Sequence, residues 1–295
     1  MQRIFISVLT LLSRLSHKRV IYINEKNIDP KRFATLTDYG FWFCGNVFDY
    51  ADIAYGFASA GKIEEGEMDM VRDIIQHQKK SSYVFYDIGS NTGPYSLLAA
   101  NTGAIVHSFD PVPEHLHILK QSIKLNGFEK NITTHQVALS NHIGTAMLTL
   151  SGTGSSLETE FLSAEAKPQL EVQLYDLDSY THEHNLDDPD FIKIDVEGHE
   201  MQVVEGASAI ISRAFPILFI EVARHLTDNG RSFHNEHYEK FFTFFFERGY
   251  EAYRYTEKGL APFSSSFEES GAHMYLFLHK ETHLKDASLT KLLGI

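Results

Sequence analysis

Asp87, Gly89 and Gly93 stand in the stretch YVFYDIGSNTGPYSLLA (83–99), where an apolar run ends and helix-like spacing begins. Glycines there let a backbone approach a ligand closely or adopt positive φ. A dinucleotide turn, G-x-G-x-x-G, would need glycines at 91 and 94, but Asn91 and Pro94 stand there. An acid just ahead of the turn repels a dinucleotide phosphate and suits a cationic ligand. S-adenosylmethionine, with a sulfonium and an α-ammonium, is such a ligand. Asp87, Gly89, Asn91 and Gly93 are therefore candidate cofactor residues. The next apolar run, AIVHSF (104–109), leads into Asp110, whose carboxylate can accept both hydroxyls of a ribose. Val137 and Ala138, at the end of the third run, stand where an adenine would meet backbone and small side chains.

A second group follows the run DFIKIDVEGHE: Asp195, Glu197, His199 and Glu200. Ionisable groups packed this closely after a strand cost desolvation unless they have solvent or a task. Glu221 ends the run PILFIEV, and His225 follows it. Methyl transfer to an alcohol needs alignment of the acceptor oxygen and a base for its proton. Asp195 and Glu197 are the favoured central pair, Asp195 counting as a cofactor residue too, with Glu221 in support. His225 titrates near neutrality, although a single histidine after a strand is more often structural. His199, with Ser155 and Ser156 of GTGSSL (152–157), is placed to border the acceptor. Asp195 and Glu221 could instead share Mg²⁺, the less favoured use of the same acids. The histidine pairs in HEH (182–184) and HNEH (234–237) lack i, i+4 spacing and read as solvated loop residues.

Elements must carry these residues. Apolar runs at 83–88, 104–109, 131–139, 191–196, 216–222, 250–255 and 273–279 read as strands, several of them covered on both faces. Helical patterns alternate with them, as in PEHLHILKQSIKLNG, which opens on Pro113 and closes on Gly127. That order predicts a doubly wound α/β domain with a mostly parallel sheet over 81–295. The stretch 146–180 interrupts it and reads as an insertion of two short strands, AMLTL and LEVQLY, around a loop. Residues 1–80 form an N-terminal extension, helical and aromatic. Its segment 39–57 reads as core packing first, and as a lid or subunit contact second.

The 295 residues carry 26 Lys and Arg against 39 Asp and Glu, a formal charge of -13, and no basic run longer than a pair such as Lys79–Lys80. Such a surface disfavours a nucleic-acid partner. The lone cysteine, Cys44, rules out a disulfide within these residues and fits a reducing, cytoplasmic setting. Ile4 to Leu12 is apolar but too short to span a bilayer, and no A-x-A-like cleavage site follows. A helix packed on the domain is expected there. A membrane-peripheral or self-associating segment is the alternative.

Taken in order, FYDIGSNTGPYSLLA, VHSFDPVPEHLHILKQSIKLN, QVALSNHIGTAMLTL, GTGSSL, FIKIDVEGHEMQVVEGA and PILFIEV resemble the successive motifs of FkbM-type S-adenosylmethionine-dependent methyltransferases. The resemblance implies a seven-stranded, Rossmann-like class I methyltransferase sheet with its last strand antiparallel. It also implies O-methylation of a hydroxyl on a sugar, glycolipid or polyketide-like acceptor, with S-adenosylhomocysteine as product. An acidic segment such as IEEGEM (63–68) lies near the cofactor in this family, so Glu65 is a further candidate. Asp110 stands where the family more often has Glu. The competing functions are an NAD(P)-binding oxidoreductase on a related fold and a non-catalytic scaffold with a relict pocket.

Overall fold

A computed structural model describes residues 20–22, 32–46, 51–78, 80, 82–150, 155–157, 168–228, 231–263 and 272–295. The apolar segment at 4–12 lies outside them. The described residues begin with an antiparallel sheet of β1 (Val20–Tyr22), β2 (Arg32–Leu36) and β3 (Trp42–Asn46), then α1 (Ala51–Ala60) and α2 (Glu65–His77). The extension is therefore not helical alone. Its run FWFC is rich in residues that suit a pleated, covered surface, and Phe41, Trp42, Phe43 and Cys44 are all buried.

The Rossmann-like α/β part follows. It runs β4 (Val84–Ile88), α3 (Pro94–Asn101), β5 (Ile105–Phe109), α4 (Pro113–Asn126) and β6 (Ile132–His135). Next come β7 (Ala138–Ser140), β8 (Gly144–Thr149), β9 (Gln169–Asp176), α5 (Leu177–His184) and β10 (Phe191–Ile194). Helices α6 (Glu200–Gly206) and α7 (Ser208–Ala214) lead to β11 (Ile217–Ala223) and the hairpin β12 (His225–Asp228) and β13 (Arg231–His234). The chain closes with α8 (Tyr238–Phe246), β14 (Tyr250–Thr256), β15 (Gly259–Phe263), β16 (Ala272–His279) and α9 (Ala287–Leu293).

The central sheet has the order β15-β14-β16-β11-β10-β4-β5-β6. All seven expected strands are in it, and the last of them, β16, runs antiparallel to both neighbours. The eighth, β15, is an edge strand that carries Pro262, a residue confined to sheet edges because it lacks an N–H. The run 131–139 is split. Its first part, β6, stays in the central sheet, while β7 leaves to pair with β9, which also pairs β8 across the insertion.

Side-chain alternation sorts the sheet into two layers. Phe85, Phe191 and Phe219 pack toward α2, α3 and α4. Tyr86, Ile192 and Ile220 pack toward α5 to α8. Each such side chain contributes about 1.5–3 kcal/mol by leaving water. Of the aromatic stretch, Tyr39, Phe41, Phe43 and Phe57 belong to the first layer. The small sheet is bolted to α4 by Asn126, whose Oδ1 accepts from Trp42 N (2.7 Å) and whose Nδ2 donates to Trp42 O (2.6 Å).

Candidate active site

Strand order reverses direction between β4 and β10, the place where open α/β sheets bind ligands. The register there pairs Phe109 with Ile88, Ile88 with Ile194, and Ile194 with Ile220. One residue further along stand Asp110, Gly89, Asp195 and Glu221, side by side across four neighbouring strands. Backbone bonds hold this row: Gly89 N donates to Phe109 O (2.9 Å) and Asp195 N to Ile88 O (3.0 Å). Gly89 has φ +74°, and a Cβ there would lie 1.8 Å from the Asp195 carbonyl oxygen. Only glycine lets the two tips lie this close.

A cavity of about 280 Å³ opens over the row. Gly89, Asn91 and Asp110 line it, as do Val137 and Ala138 further along. Ser155, His199, Asp195, Glu197 and Glu221 line it as well. The residues singled out from sequence thus converge, with exceptions. Asp87 is 1% exposed and lies behind the wall, where Oδ2 accepts from the Ser96 hydroxyl at 2.6 Å. Burial pushes its carboxyl up, opposed by Lys193 and Ser96. Gly93 packs against Leu119 and starts α3 at φ +85°. Ser156 does not line the cavity; its hydroxyl donates to Glu197 O at 2.6 Å and pins the insertion to the acid turn. His225 opens β12, and its side chain lies outside the described residues, as does that of Glu65.

The acids form a tight group. One oxygen each from Asp195, Glu197 and Glu221 lies within 4.8 Å of the others. Such a spacing could also bracket a divalent cation. The chain supplies its own cation in Lys193, whose Nζ donates to Asp195 Oδ2 at 2.9 Å and lies 4.8 Å over the Tyr95 ring. Burial alone would push the Lys193 ammonium down, but Asp195, Asp87 and Glu64 hold it above its usual range. The Asp195 charge and burial, with Glu197 behind them, drive the Glu221 carboxyl up to about 10. Burial, then Asp195 and Glu200, raise Glu197 to about 8. Glu197 also has φ +55°, a strained conformation for a side-chain-bearing residue, costing about 1–3 kcal/mol.

Sequence reasoning passed over three contributors. Lys193 lies two residues before Asp195 on the same face as Phe191, and the strand period could have found it. Glu64, not Glu65, reaches the cavity; its Oε2 accepts from Tyr95 OH at 2.5 Å, and its φ is +42°. His115, in the first turn of α4, lines the cavity and binds Asp110.

The residues present fit S-adenosylmethionine. Asp110 offers a carboxylate to the ribose, and Val137, Ala138 and Leu139 give the base small and apolar neighbours. At the strand tip Ser90 lines the cavity, only 2% exposed, and its Oγ has no hydrogen-bond partner among the described residues. Such an orphaned hydroxyl calls for a polar ligand atom.

Known proteins resemble this chain. The methyltransferase FkbM domain matches residues 87–252. The hexuronic acid methyltransferase AglP of Haloferax volcanii is 26% identical over 157 residues, which cover 52% of this chain and 62% of that protein. The chain thus aligns with less than two thirds of that relative's length. Among solved structures, the methyltransferase FkbM from Methylobacillus flagellatus has a TM-score of 0.42 at 16% identity, covering 68% of this chain and 45% of that one. An S-adenosylmethionine-dependent methyltransferase from Agrobacterium tumefaciens has a TM-score of 0.46 at 11% identity, covering 90% and 78%. The domain match spans more than half of the chain, which therefore belongs to the FkbM family of S-adenosylmethionine-dependent methyltransferases.

Proposed function

We propose that the protein is an O-methyltransferase that uses S-adenosylmethionine to methylate a hydroxyl of a sugar, glycolipid or polyketide-like small molecule. The observation that carries this is the convergence of Asp195, Glu197 and Glu221 at one end of the cavity that Asp110 and Gly89 open. The bound cofactor supplies an electrophilic methyl group on a sulfonium and is released as S-adenosylhomocysteine. The chain's own residues do the rest. Glu197 takes the acceptor's hydroxyl proton as the new O–C bond forms, then returns it to solvent. A base with a raised pKa suits that work near neutral pH. Lys193 donates to Asp195 and orients it. Glu221, held protonated by the Asp195 charge, donates to the acceptor and fixes its position.

Five acidic side chains and one lysine line the cavity. A neutral hydroxyl enters such a wall more easily than a carboxylate, and polyanionic nucleic acid is repelled. The relative's name supports a glycan acceptor, because it acts on a hexuronic acid. A cytoplasmic setting, from the lone cysteine, is part of the same proposal. Among the described residues no helix is long and apolar enough to cross a membrane.

The test is incubation with methyl-labelled S-adenosylmethionine and a panel of neutral sugars, hexuronates and glycolipids. An alkali-stable methyl ether on a neutral hydroxyl is expected. An alkali-labile ester formed only on a hexuronate would overturn the hydroxyl acceptor. Transfer to none of them, with NAD-dependent oxidation of the panel, would establish the oxidoreductase instead.

A further inference from the structure

A cation that enters the cavity cannot reach Asp87, the acid expected to meet it. Asp87 Oδ2 accepts from the Ser96 hydroxyl, and Oδ1 is buried with no hydrogen-bond partner among the described residues. Behind the wall, Asp87 instead helps Asp195 to counter the buried Lys193 charge. Of the five acidic side chains that do line the cavity, four have other work. Asp110 stands at the ribose end, engaged by Asn91 N, Val112 N and His115. Asp195 is bonded to Lys193. Glu197 is raised to about 8, by burial first, and Glu221 to about 10, by the Asp195 charge first, so each holds a proton near neutrality.

The fifth, Glu64, is differently placed. Tyr95 OH donates to its Oε2 at 2.5 Å, and its Oε1 has no partner among the described residues. The residue is exposed at the cavity, directly before α2, at φ +42° and ψ +51°. Of the five non-glycine residues with positive φ among those described, Glu64, Asn91 and Glu197 line this cavity. Backbone strain of that kind gathers at ligand sites. The order of the strands adds direction. Val137 and Ala138 follow β6, Asp110 follows β5, Gly89 follows β4, and Tyr95 lies against Lys193 of β10, the next strand over. Base, ribose and amino-acid parts of the cofactor follow one another in the same sequence.

On the premise that the cavity takes S-adenosylmethionine, we propose that Glu64 Oε1 accepts the α-ammonium of its methionine part, in place of Asp87. Tyr95 holds the carboxylate in position, and the ammonium supplies the charge that completes the pair. The FkbM domain match begins at residue 87, so this contact comes from the extension ahead of it. The extension thereby closes the amino-acid end of the pocket.

The test is calorimetric titration of the full chain with S-adenosylhomocysteine, its deamino analogue and its decarboxy analogue. The deamino analogue should bind the wild type at least about tenfold more weakly than S-adenosylhomocysteine, the worth of a charged hydrogen bond. Glu64→Gln keeps an acceptor for Tyr95 OH and removes the charge. In it, S-adenosylhomocysteine and the decarboxy analogue should each lose about tenfold, while the deamino analogue binds as it does to the wild type. Glu64→Ala should show the same selectivity. Equal weakening of all three ligands would reduce Glu64 to a support of Tyr95 and overturn the proposal. So would a deamino deficit as large in both variants as in the wild type. Absence of binding by the wild type would overturn the cofactor premise itself, a different and recognisable failure.

Discussion

Two clusters of buried titratable side chains on the central sheet are treated in opposite ways. On the face of β5 and β6 that packs toward α5, His107 Nδ1 meets His135 Nε2 at 3.0 Å, and His135 Nδ1 meets Tyr180 OH at 3.1 Å. Phe109 stacks on His135 with centroids 4.5 Å apart. Burial pushes the His135 imidazole down to about 3 and lowers His107 as well. These rings are neutral and bonded to one another. At the tips of β4, β10 and β11 the situation is reversed. Like charges crowd together, Glu197 and Glu221 are driven up, and Asp87 Oδ1, Ser90 Oγ and Thr92 Oγ1 have no hydrogen-bond partner among the described residues. A polar cluster that satisfies itself holds the fold. One that leaves atoms orphaned and charges crowded is built for something that arrives later.

Substitution of the acids should separate the two regions most sharply. Glu197→Gln is expected to lower methyl transfer by about 10²–10⁴-fold, the usual worth of a general base, with little change in S-adenosylhomocysteine affinity. His135→Gln should leave kcat intact and lower the melting temperature. Steady-state rates and a thermal melt on both variants check this, and a fully active Glu197→Gln would erase the distinction.

Gly89→Ala tests the row itself. A left-handed φ costs a side-chain-bearing residue about 1–2 kcal/mol, and the contact with the Asp195 carbonyl adds to it. Urea unfolding should show the loss, accompanied by weakened S-adenosylhomocysteine binding. An alanine variant as stable as the wild type would mean that the tips do not lie this close.

The two regions should also respond oppositely to pH. The lowered His135 and His107 bind fewer protons when folded, so their contribution is present above about 6.5 and is lost as pH falls, that of His135 toward about 3. The raised Glu197 and Glu221 bind more protons when folded. Their contribution is present below about 4.5 and is lost as pH rises through about 8 and about 10. His135→Gln should flatten the acid side of the stability curve and Glu221→Gln the alkaline side. Over the same range kcat/KM should rise through about pH 8 as Glu197 gives up its proton. A rate independent of pH between 6 and 9 would remove Glu197 as the base.

A smaller effect is expected at Ser96→Ala. It removes the hydroxyl bond to Asp87 Oδ2 and should cost about 1–3 kcal/mol, with no direct effect on ligand affinity. Equal loss of stability and affinity would place Asp87 in the cavity wall rather than behind it.

Much of the sheet was legible because its strands are covered on both faces and read as apolar runs. The acids and glycines were legible because they follow the last core residue of each run. Other features left weaker traces. The edge strand β15 is short and contains Pro262, so its pattern is not that of a strand. The break between β6 and β7 at Gln136–Val137 has no glycine or proline to mark it. His115 is a helix residue that enters the site only because α4 starts beside Asp110. Lys193 sits inside an apolar run, where a buried charge is visible only once Asp195 is placed next to it.

The row Asp110, Gly89, Asp195 and Glu221 forms the floor of the proposed S-adenosylmethionine pocket. Calorimetric titration with S-adenosylhomocysteine, with NAD as the control, tests it most directly. Saturable one-site binding is predicted, weakened at least about 100-fold in Asp110→Ala, which loses a charged acceptor to the ribose, with no heat from NAD. Binding of NAD instead, or binding of S-adenosylhomocysteine indifferent to Asp110, would contradict it.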